Sequence, residues 1–519
     1  AELGKHDKAT GETTVELDDT NLPYLWCPEG IARLLRGILG LQKGAAKLKV
    51  SRGSYRVVID ISVKSIRPYM SAFVAKGKKL DDYLLKQLVQ MQEKFCESYG
   101  RRRQKTSIGL YSYKRIKFPV HYKAVAPESA KFAPLDSDSV MDLKEILLKH
   151  PKGQQYGWIL ANFQKYPLLV DDSGQILSFP PIINSNYTGK LEVGDGELLF
   201  EATGTDEESV NLAANIFAQN LAERGFEIFS ATMDYGGRTE VIPHAAKEKV
   251  KINPAFIGQL TGLSLSLAEL KPLLEKTGYD IAGGYAVVPH YRADILHPVD
   301  LAEDVAVAYG FDKIKDEPLK SYTTGAKDSS VESINQLRKA AIGIGFQEIF
   351  SHILTDNGTL IPGNGNSGNE AALEIENIMS ETYSAVRNSL LPQLLDVISK
   401  NKHEDYPQRI FEEGIVAARE GSRITETHSL ALVSAHSNAN FTEQKQYVSA
   451  ILGTLGLSFT IQPCEHPAFL KGRAGHIIIN GKHAGILGEI SPALLTKWAI
   501  EMPATAAEMN VNVVLQGLD

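Results

Sequence analysis

Four acidic side chains and one arginine lie close together in the middle of this chain, and their spacing suits cation binding. Asp300, Glu303 and Asp304 stand at positions i, i+3 and i+4, so they share one face of the segment if it is helical. Asp294 precedes this face and follows shortly after Arg292. Oxygen ligands at helical spacing suit Mg²⁺, which keeps several waters and takes few carboxylates.

The spacing of these acids leaves two interpretations open. Two carboxylates about 5 Å apart repel by roughly 3 kcal/mol at an effective dielectric of about 20, which favours a bound cation wherever protein covers part of the face. Acids in a first helical turn also complement the helix dipole without any metal. The pattern therefore predicts a charged helical face, with magnesium or solvent to balance it.

A helix after a short extended run must position these acids. Pro298 suits a first helical turn and Gly310 suits a helix end. Leu301, Val305 and Ala308 fall on the side opposite the acids and are expected to be buried.

Composition indicates a globular chain of several domains. The 519 residues are 43% hydrophobic and 23% charged, enough for three or four domains with cores of their own. No apolar run reaches membrane-spanning length and no secretory leader opens the chain, so no membrane association is expected. Cys27, Cys96 and Cys464 are far apart and form no CxxC pair, which favours a cytoplasmic protein without disulfides or zinc.

The most concentrated positive patch follows a predicted helix over residues 80–99. Arg101, Arg102, Arg103 and Lys105 stand within five positions of one another, whereas the whole chain carries a net charge of −7. A nucleic-acid partner would therefore have to use such a local patch. The same residues could equally be a solvated helix end that complements the negative pole of the dipole.

Two polar segments lie between predicted strands of the chain. Pro180 and Pro181 fix the backbone ahead of a series of small polar side chains at 184–188. Thr-Gly-Thr-Asp follows at 203–206. Taken alone, both segments are ordinary turn chemistry.

Several of these segments carry a family resemblance. The stretch 291–311, Tyr-Arg-Ala-Asp-Ile-Leu-His-Pro-Val-Asp-Leu-Ala-Glu-Asp-Val-Ala-Val-Ala-Tyr-Gly-Phe, resembles the β subunits of phenylalanyl-tRNA synthetases of the archaeal and eukaryotic type. The Pro-Pro-Ile-Ile-Asn-Ser and Thr-Gly-Thr-Asp pieces resemble the editing domain of that family. The order of segments over 379–416 and the Gly-Ile-Leu-Gly-Glu-Ile-Ser-Pro ending at 492 resemble its copy of the class II synthetase fold.

The resemblance assigns a metal site to the acidic stretch. Family members have acids at the positions of Asp294, Asp300, Glu303 and Asp304, which are taken to hold Mg²⁺ near the contact with an α subunit. All four positions match in this chain.

The resemblance also assigns an editing pocket, which is held to hydrolyse tyrosine mischarged onto the phenylalanine tRNA. Carried over by position, Ser185, Glu201 and Thr203 are the candidate pocket residues. Many family members have Asp where Glu201 stands, and an acid where Asn186 stands. These departures favour the alternative of a scaffold or RNA-binding protein that kept the architecture and lost the hydrolysis.

The predicted fold is α+β and multidomain. By resemblance, residues 1–65 are the remnant of an N-terminal domain whose first part is missing, and residues 66–235 are the editing domain. Residues 245–322 are expected to form a small helix-rich module of winged type, and residues 325–519 an antiparallel class II-like sheet with flanking helices.

The resemblance implies a non-catalytic subunit of an α₂β₂ ligase that binds tRNA. Class II sites need an arginine after the closing glycines to neutralise the phosphates of ATP. Glu489 follows Gly488 here, and an acid would repel polyphosphate. We therefore expect that residues 325–519 do not bind ATP, and that the partner chain joins phenylalanine to tRNA with ATP and Mg²⁺.

Overall fold

The computed structural model describes residues 2–18, 20–244, 248–319, 321–361 and 373–517. The chain divides into two compact units, Ala1–Pro318 and Leu319–Asp519. The segment Asn-Gly-Asn-Ser-Gly-Asn at 364–369, whose composition predicts a flexible turn, lies outside the described residues. Within the described ranges, no helix combines the length and apolarity needed to cross a bilayer.

The first unit contains the elements β1–β17 and α1–α8. Its strands in chain order span Glu2–His6, Thr13–Glu16, Val50–Ile59, Tyr69–Lys76, Thr106–Ser112, Val120–Val125, Lys131–Phe132, Met141–Asp142, Tyr166–Val170, Ile176–Phe179, Ile183–Asn184, Glu197–Gly204, Glu227–Asp234, Thr239–Ile242, Lys249–Lys251, Asp280–Ala282 and Tyr285–Val287. Its helices span Pro28–Ile38, Asp82–Glu97, Leu143–Lys149, Pro151–Tyr156, Glu207–Glu223, Pro254–Thr261, Leu267–Lys276 and Pro298–Tyr309.

A ten-stranded mixed sheet forms the centre of the first unit. Its order is β11-β10-β9-β6-β3-β13-β4-β12-β5, with β14 paired to β13. Strand β3 runs parallel to both of its neighbours, β6 and β13, and so lies inside the sheet. The boundary expected at 65/66 therefore falls within one sheet, since β3 pairs with strands that come much later in the chain.

Two long helices complete the core of the sheet. The 3.6-residue period predicted for α2 is confirmed, because Leu84, Leu88, Met91 and Phe95 are all buried. Helix α5 packs on β4 and β12. Strand β12 is buried along nearly its whole length, so the polar side chains that it carries lie inside the protein.

The amphipathic pattern of residues 28–39 predicts Arg33 and Arg36 on the solvated side of α1, and for Arg33 this prediction is wrong. Its guanidinium is buried, with Nε donating to Glu223 Oε1 at 2.7 Å and Nη2 donating to Asn220 Oδ1 at 2.6 Å. Helix α5 covers this face of α1 and supplies both acceptors, a contact that sequence spacing could not show.

The end of the first unit is a small module of three helices and three short strands. Strands β15, β17 and β16 pair in that order, and α6, α7 and α8 surround a shared core. The sequence predicts helices near 254–260 and over 267–276, and both are present as α6 and α7. The predicted start of α8 at Pro298 and its end before Gly310 are also confirmed. The winged-type description of this module remains a prediction.

The second unit contains β18–β27 and α9–α13. Its strands span Gln347–Glu348, Leu354–Thr355, Leu373–Glu374, Ala385–Val386, Gln408–Glu420, Arg423–Ala435, Thr460–Pro463, Phe469–Ile479, Lys482–Ile490 and Ala504–Asn510. Its helices span Ser329–Gly343, Leu391–Lys400, Phe441–Gly453, Pro492–Lys497 and Val511–Gln516. Single 3₁₀ turns in the two units span Pro23–Leu25, Ile61–Val63, Tyr113–Arg115, Gly157–Leu160, Phe311–Lys313 and Glu381–Tyr383.

A seven-stranded sheet in the order β18-β22-β23-β27-β26-β25-β24 dominates the second unit. All neighbours are antiparallel except the short β18, which runs parallel to β22. Helices α10, α11 and α13 pack on the sheet. An antiparallel sheet with flanking helices is the arrangement expected for residues 325–519.

Candidate active site

Strand β12 presents Glu201 and Thr203 on one face of the large sheet, because alternate residues of a strand point to the same side. On the neighbouring β5, Gly109 stands opposite Glu201 and Ser107 opposite Thr203. Tyr111 follows on the same face of β5. These side chains and Arg67, which reaches them from the residues before β4, are called here the Glu201 cluster.

Glu201 is the least satisfied member of this cluster. The Tyr111 hydroxyl donates to Glu201 Oε1 at 2.8 Å, but Oε2 is buried without a hydrogen-bond partner among the described residues. Burial raises the pKa of Glu201 to about 7, against the lowering effects of the Tyr111 hydrogen bond and the Arg67 charge. A buried carboxyl oxygen without a partner is costly, and a ligand is one common explanation for it.

Arg67 fixes the other half of the cluster. It is 1% exposed, and its Nε donates to Thr203 Oγ1 at 3.0 Å. Its Nη2 donates to Ser107 Oγ at 3.0 Å and to the Thr203 carbonyl oxygen at 2.5 Å. Burial lowers the pKa of Arg67, while the charge of Glu201 acts in the opposite direction. Arg67 therefore contacts Thr203 through both the hydroxyl and the carbonyl oxygen of that residue.

Gly109 leaves the space in which Glu201 and Tyr111 meet. A Cβ atom at this position would lie 2.3 Å from the Tyr111 hydroxyl oxygen and 2.5 Å from Glu201 Oε1. Any larger residue would push this pair apart.

Among the described residues, Ser185 makes its hydrogen bonds to β10 and to its own loop rather than to the cluster. Its backbone N–H donates to the Leu177 carbonyl at 2.8 Å, and its hydroxyl accepts from the Tyr187 N–H at 3.3 Å. The preceding residue, Asn184, reaches the cluster, with its Oδ1 accepting from the Tyr111 hydroxyl at 3.3 Å. The structure thus brings Glu201 and Thr203 together on one strand, and Ser185 directly follows Asn184, which contacts Tyr111.

Sequence reasoning missed Arg67, Tyr111 and Asn184. One signal for β5 was present in the sequence: Ser107, Gly109 and Tyr111 alternate with apolar residues, which is the pattern of a strand with one polar, functional face. For Arg67 no local signal exists, because its partners come from two other strands.

Two of the four acids at and before helix α8, a segment called here the acidic helix, pair with Arg292. Arg292 donates through Nε to Asp294 at 3.1 Å and through Nη1 to Asp304 Oδ2 at 2.8 Å, while its Nη2 also pairs with Asp294. The Tyr279 hydroxyl donates to the same oxygen of Asp304 at 2.5 Å. Burial raises the pKa of Asp304, and the charge of Arg292 opposes that rise.

The remaining two acids have different roles. Asp300 Oδ2 accepts the backbone N–H groups of Leu296 and His297, both at 2.7 Å, and so caps the start of α8. Glu303 is exposed. Among the residues that the structure describes, no group of three or more His, Cys, Asp or Glu side chains is arranged to hold a metal ion.

Three of the four acids that resemblance assigns to magnesium therefore have partners within the chain. Asp294 and Asp304 turn inward to Arg292, Asp300 turns to the backbone, and Glu303 points to solvent. This arrangement does not fit a magnesium ion, and the site remains a prediction from resemblance alone.

Glu489 is also used within the fold. Its Oε1 accepts the backbone N–H of Phe441 at 2.9 Å at the start of α11. The acid that was expected to repel ATP thus stabilises a helix terminus.

Two family models match this chain, one within the first unit and one over most of the second unit. The family model of the tRNA synthetase B5 domain matches residues 250–311, which include the acidic helix. The model of the phenylalanyl tRNA synthetase beta chain CLM domain matches residues 314–511. The phenylalanine–tRNA ligase beta subunit of Pyrococcus horikoshii is 39% identical over 508 residues, which are 96% of this chain and 91% of that protein.

This chain belongs to the phenylalanyl-tRNA synthetase β-subunit family. The β subunit of Thermococcus gammatolerans is likewise 39% identical, over 95% of this chain and 89% of its own length. The crystal structure of an N-terminal fragment of the β subunit from Pyrococcus horikoshii is similar with a TM-score of 0.55 and 40% identity. It covers 57% of this chain and 86% of the fragment.

Membership confirms the family that the sequence motifs indicated. As a β subunit, the chain is the non-catalytic component of a class II aminoacyl-tRNA synthetase. The roles of its individual side chains do not follow from membership and depend on the geometry described above.

Proposed function

We propose that this chain, assembled with an α subunit, binds tRNA and hydrolyses tyrosine that has been attached wrongly to the phenylalanine tRNA. The observation that carries this proposal is the buried Oε2 of Glu201, which has no partner among the described residues, next to the hydroxyl of Tyr111. A tyrosine side chain would bring one phenolic hydroxyl to that oxygen. A phenylalanine side chain would leave it unpaired.

The physical need for such a second site is clear. A pocket shaped for phenylalanine rejects an analogue that merely adds a hydroxyl only weakly, by about a hundredfold. A site whose buried polar groups require the hydroxyl can discriminate far more strongly in the opposite direction, because those groups stay unpaired with the wrong substrate. Glu201 provides such a group.

The reaction is ester hydrolysis. Water adds to the carbonyl carbon of the aminoacyl ester, the bond between that carbon and the ribose oxygen breaks, and free tyrosine and tRNA are released. In this proposal Glu201 recognises the phenol, the Arg67–Thr203 contacts hold β12 in place, and Ser185 closes the pocket from the neighbouring loop.

A deacylation assay on the assembled complex tests the proposal. Tyr-tRNA should be cleaved faster than Phe-tRNA, and Ser185→Ala or Thr203→Ala should slow cleavage by about five- to tenfold, the effect of losing one or two hydrogen bonds. Equal rates for the two substrates would overturn the editing proposal. That outcome would favour the non-hydrolytic scaffold, to which the departures at Asn186 and Glu201 point.

The second unit is proposed to contact the α subunit, as in an α₂β₂ ligase whose α chain performs the ATP chemistry. Phe350 and Met379 are fully or almost fully exposed, and Ile353, close to Phe350 in the sequence, is 45% exposed. Apolar side chains displayed in this way are typical of a partner surface. Phe350→Ser combined with Met379→Ser should abolish co-purification of the α subunit, whereas Leu470→Ser, at a residue 39% exposed on β25, should not.

A further inference from the structure

The basic turn after α2 has an unusual backbone. Arg101, Arg102 and Arg103 all have left-handed conformations, with φ angles of 50°, 52° and 67°. Side-chain-bearing residues adopt this region at a cost, and three in succession are rare. Backbone hydrogen bonds hold the turn: the Arg102 and Arg103 N–H groups donate to the carbonyls of Glu97 and Cys96 at 3.0 and 2.9 Å.

Arg103 anchors this turn to the loop beside the Glu201 cluster. It is 8% exposed, and its Nη1 donates to the carbonyls of Ile182 and Pro181 at 2.9 and 3.3 Å. Its guanidinium lies 4.1 Å from the ring centre of Tyr156, and its Nη2 lies 3.0 Å from Glu93 Oε1. The turn therefore has a fixed position relative to the loop that carries Asn184 and Ser185.

Arg101 and Arg102 point to solvent instead. Both are exposed, and no acidic side chain in the described parts of the chain forms an ion pair with either of them. The Arg102 guanidinium lies 5.9 Å from the ring centre of Trp158, which is 45% exposed on the 3₁₀ turn Gly157–Leu160. The cation of Arg102 and the exposed indole ring thus lie side by side, and the exposed Arg101 directly precedes Arg102 in the chain.

This combination fits single-stranded nucleic acid better than other partners. Bases stack on exposed aromatic rings, and phosphates pair with arginines next to them. Glycine would relieve the left-handed strain at positions 101 and 102, so the presence of two long cationic side chains there indicates a use for their charge.

We infer that Arg101, Arg102 and Trp158 form a binding surface for the single-stranded 3′ end of a tRNA. Arg103 fixes this surface beside the Glu201 cluster, so that a bound RNA end delivers its aminoacyl group to the pocket. The role given to this surface rests on the proposed editing function, but RNA binding by these residues can be measured separately.

The first experiment uses glycine substitutions, because glycine removes the charge and tolerates the backbone. Arg101→Gly combined with Arg102→Gly in the assembled complex should leave the thermal midpoint at or above that of wild type. Binding of a short single-stranded RNA with the tRNA 3′-terminal sequence should weaken, and the slope of log affinity against log salt should fall by about 1.4, the value for two lost phosphate contacts on a single strand. Arg423→Ala, at an exposed arginine of the second unit, is the control and should bind like wild type.

The second experiment uses the indole of Trp158 as the probe. RNA should quench part of the intrinsic fluorescence, and Trp158→Leu should abolish that quenching and weaken binding by about 5- to 150-fold, the range for one stacked base. In deacylation of Tyr-tRNA the same variants should raise KM and leave kcat close to wild type.

The outcomes separate the two proposals. If wild type binds the RNA through these residues but does not cleave Tyr-tRNA, the surface stands and the editing function fails. If the glycine and Trp158→Leu variants bind RNA with wild-type affinity and salt slope, the surface is overturned, whatever the hydrolysis assay shows.

Discussion

The acidic helix and the Glu201 cluster both bury carboxylates, but they treat the charge in opposite ways. Asp294 and Asp304, with side chains 6% and 17% exposed, share Arg292 as a partner that contacts both. Glu201, 3% exposed, touches no cation and keeps one oxygen without a partner among the described residues. A buried acid that is fully paired serves the fold, whereas one left unpaired has capacity for a ligand.

The second unit supports this comparison. Arg387 and Glu412 form a pair at 2.7 Å with side chains only 1% and 0% exposed, and Ser351 donates its hydroxyl to the other oxygen of Glu412 at 2.6 Å. This pair is balanced in the same way as the acids of α8. The Glu201 cluster is the exception, which is why the function is proposed there.

The largest effect is expected from Arg292→Met. Removing the arginine leaves two buried carboxylates without a cation, which should lower the free energy of unfolding by about 3–5 kcal/mol. Urea denaturation measures this change. Arg36→Ala is the matched control, since Arg36 pairs with Glu223 at 3.2 Å but is 44% exposed, and it should cost no more than about 1 kcal/mol. Similar losses for the two variants would show that the acidic helix does not depend on its buried arginine.

The second-largest effect is expected in the pH dependence of stability, which should distinguish Glu201 from the paired acids of the acidic helix. The pKa of Glu201 is raised in the folded state from 4.5 to about 7, so between these values the folded chain binds a proton that the unfolded chain has released. Stability from this group is therefore complete at low pH and is lost as pH rises toward 7. The free energy of unfolding of wild type, measured relative to that of Glu201→Gln, should fall by about 3 kcal/mol between about pH 4 and about pH 8. A constant difference between the two proteins would contradict the raised pKa.

A smaller effect is expected where Gly109 meets the cluster. Gly109→Ala should separate Tyr111 from Glu201 and lower the free energy of unfolding by about 1–3 kcal/mol through overpacking. Gly237→Ala is the control, because a Cβ there has no heavy atom within 4 Å. Thermal unfolding of both variants tests whether the pair is as tightly enclosed as the structure indicates.

The smallest effect concerns magnesium. Asp300→Asn weakens the cap of α8. It should lower the free energy of unfolding by about 1 kcal/mol, by the same amount in MgCl₂ and in EDTA. Unfolding curves of wild type in the two buffers should coincide. A stabilisation by Mg²⁺ that the Asp300→Asn variant loses would instead support the metal site that family resemblance predicts.

The helices of this chain were predictable because their information is local. The period of α2 and the proline and glycine at the ends of α8 each lie within a few residues of the element that they specify. Glu201 and Thr203, which the family resemblance singled out, share a face of β12, and their role in a pocket stays a prediction.

The charge partners were not predictable from spacing. Arg67 contacts Thr203, a residue 136 positions later, only because β12 lies between β4 and β5 in the sheet. Asp304 was counted among four converging acids, but Tyr279 and Arg292 draw it inward from the other side of the module. Both outcomes depend on strand order and helix packing, which a single sequence does not specify.

The most direct test of the central claim compares the cleavage of Tyr-tRNA and Phe-tRNA by the assembled complex with wild type, Glu201→Gln and Glu201→Leu. Wild type should cleave Tyr-tRNA faster than Phe-tRNA, and Glu201→Gln should keep part of that preference through its amide. In Glu201→Leu the ratio of the two cleavage rates should fall by at least about tenfold, the equivalent of one buried hydrogen bond. An unchanged preference in the Glu201→Leu variant would contradict the account.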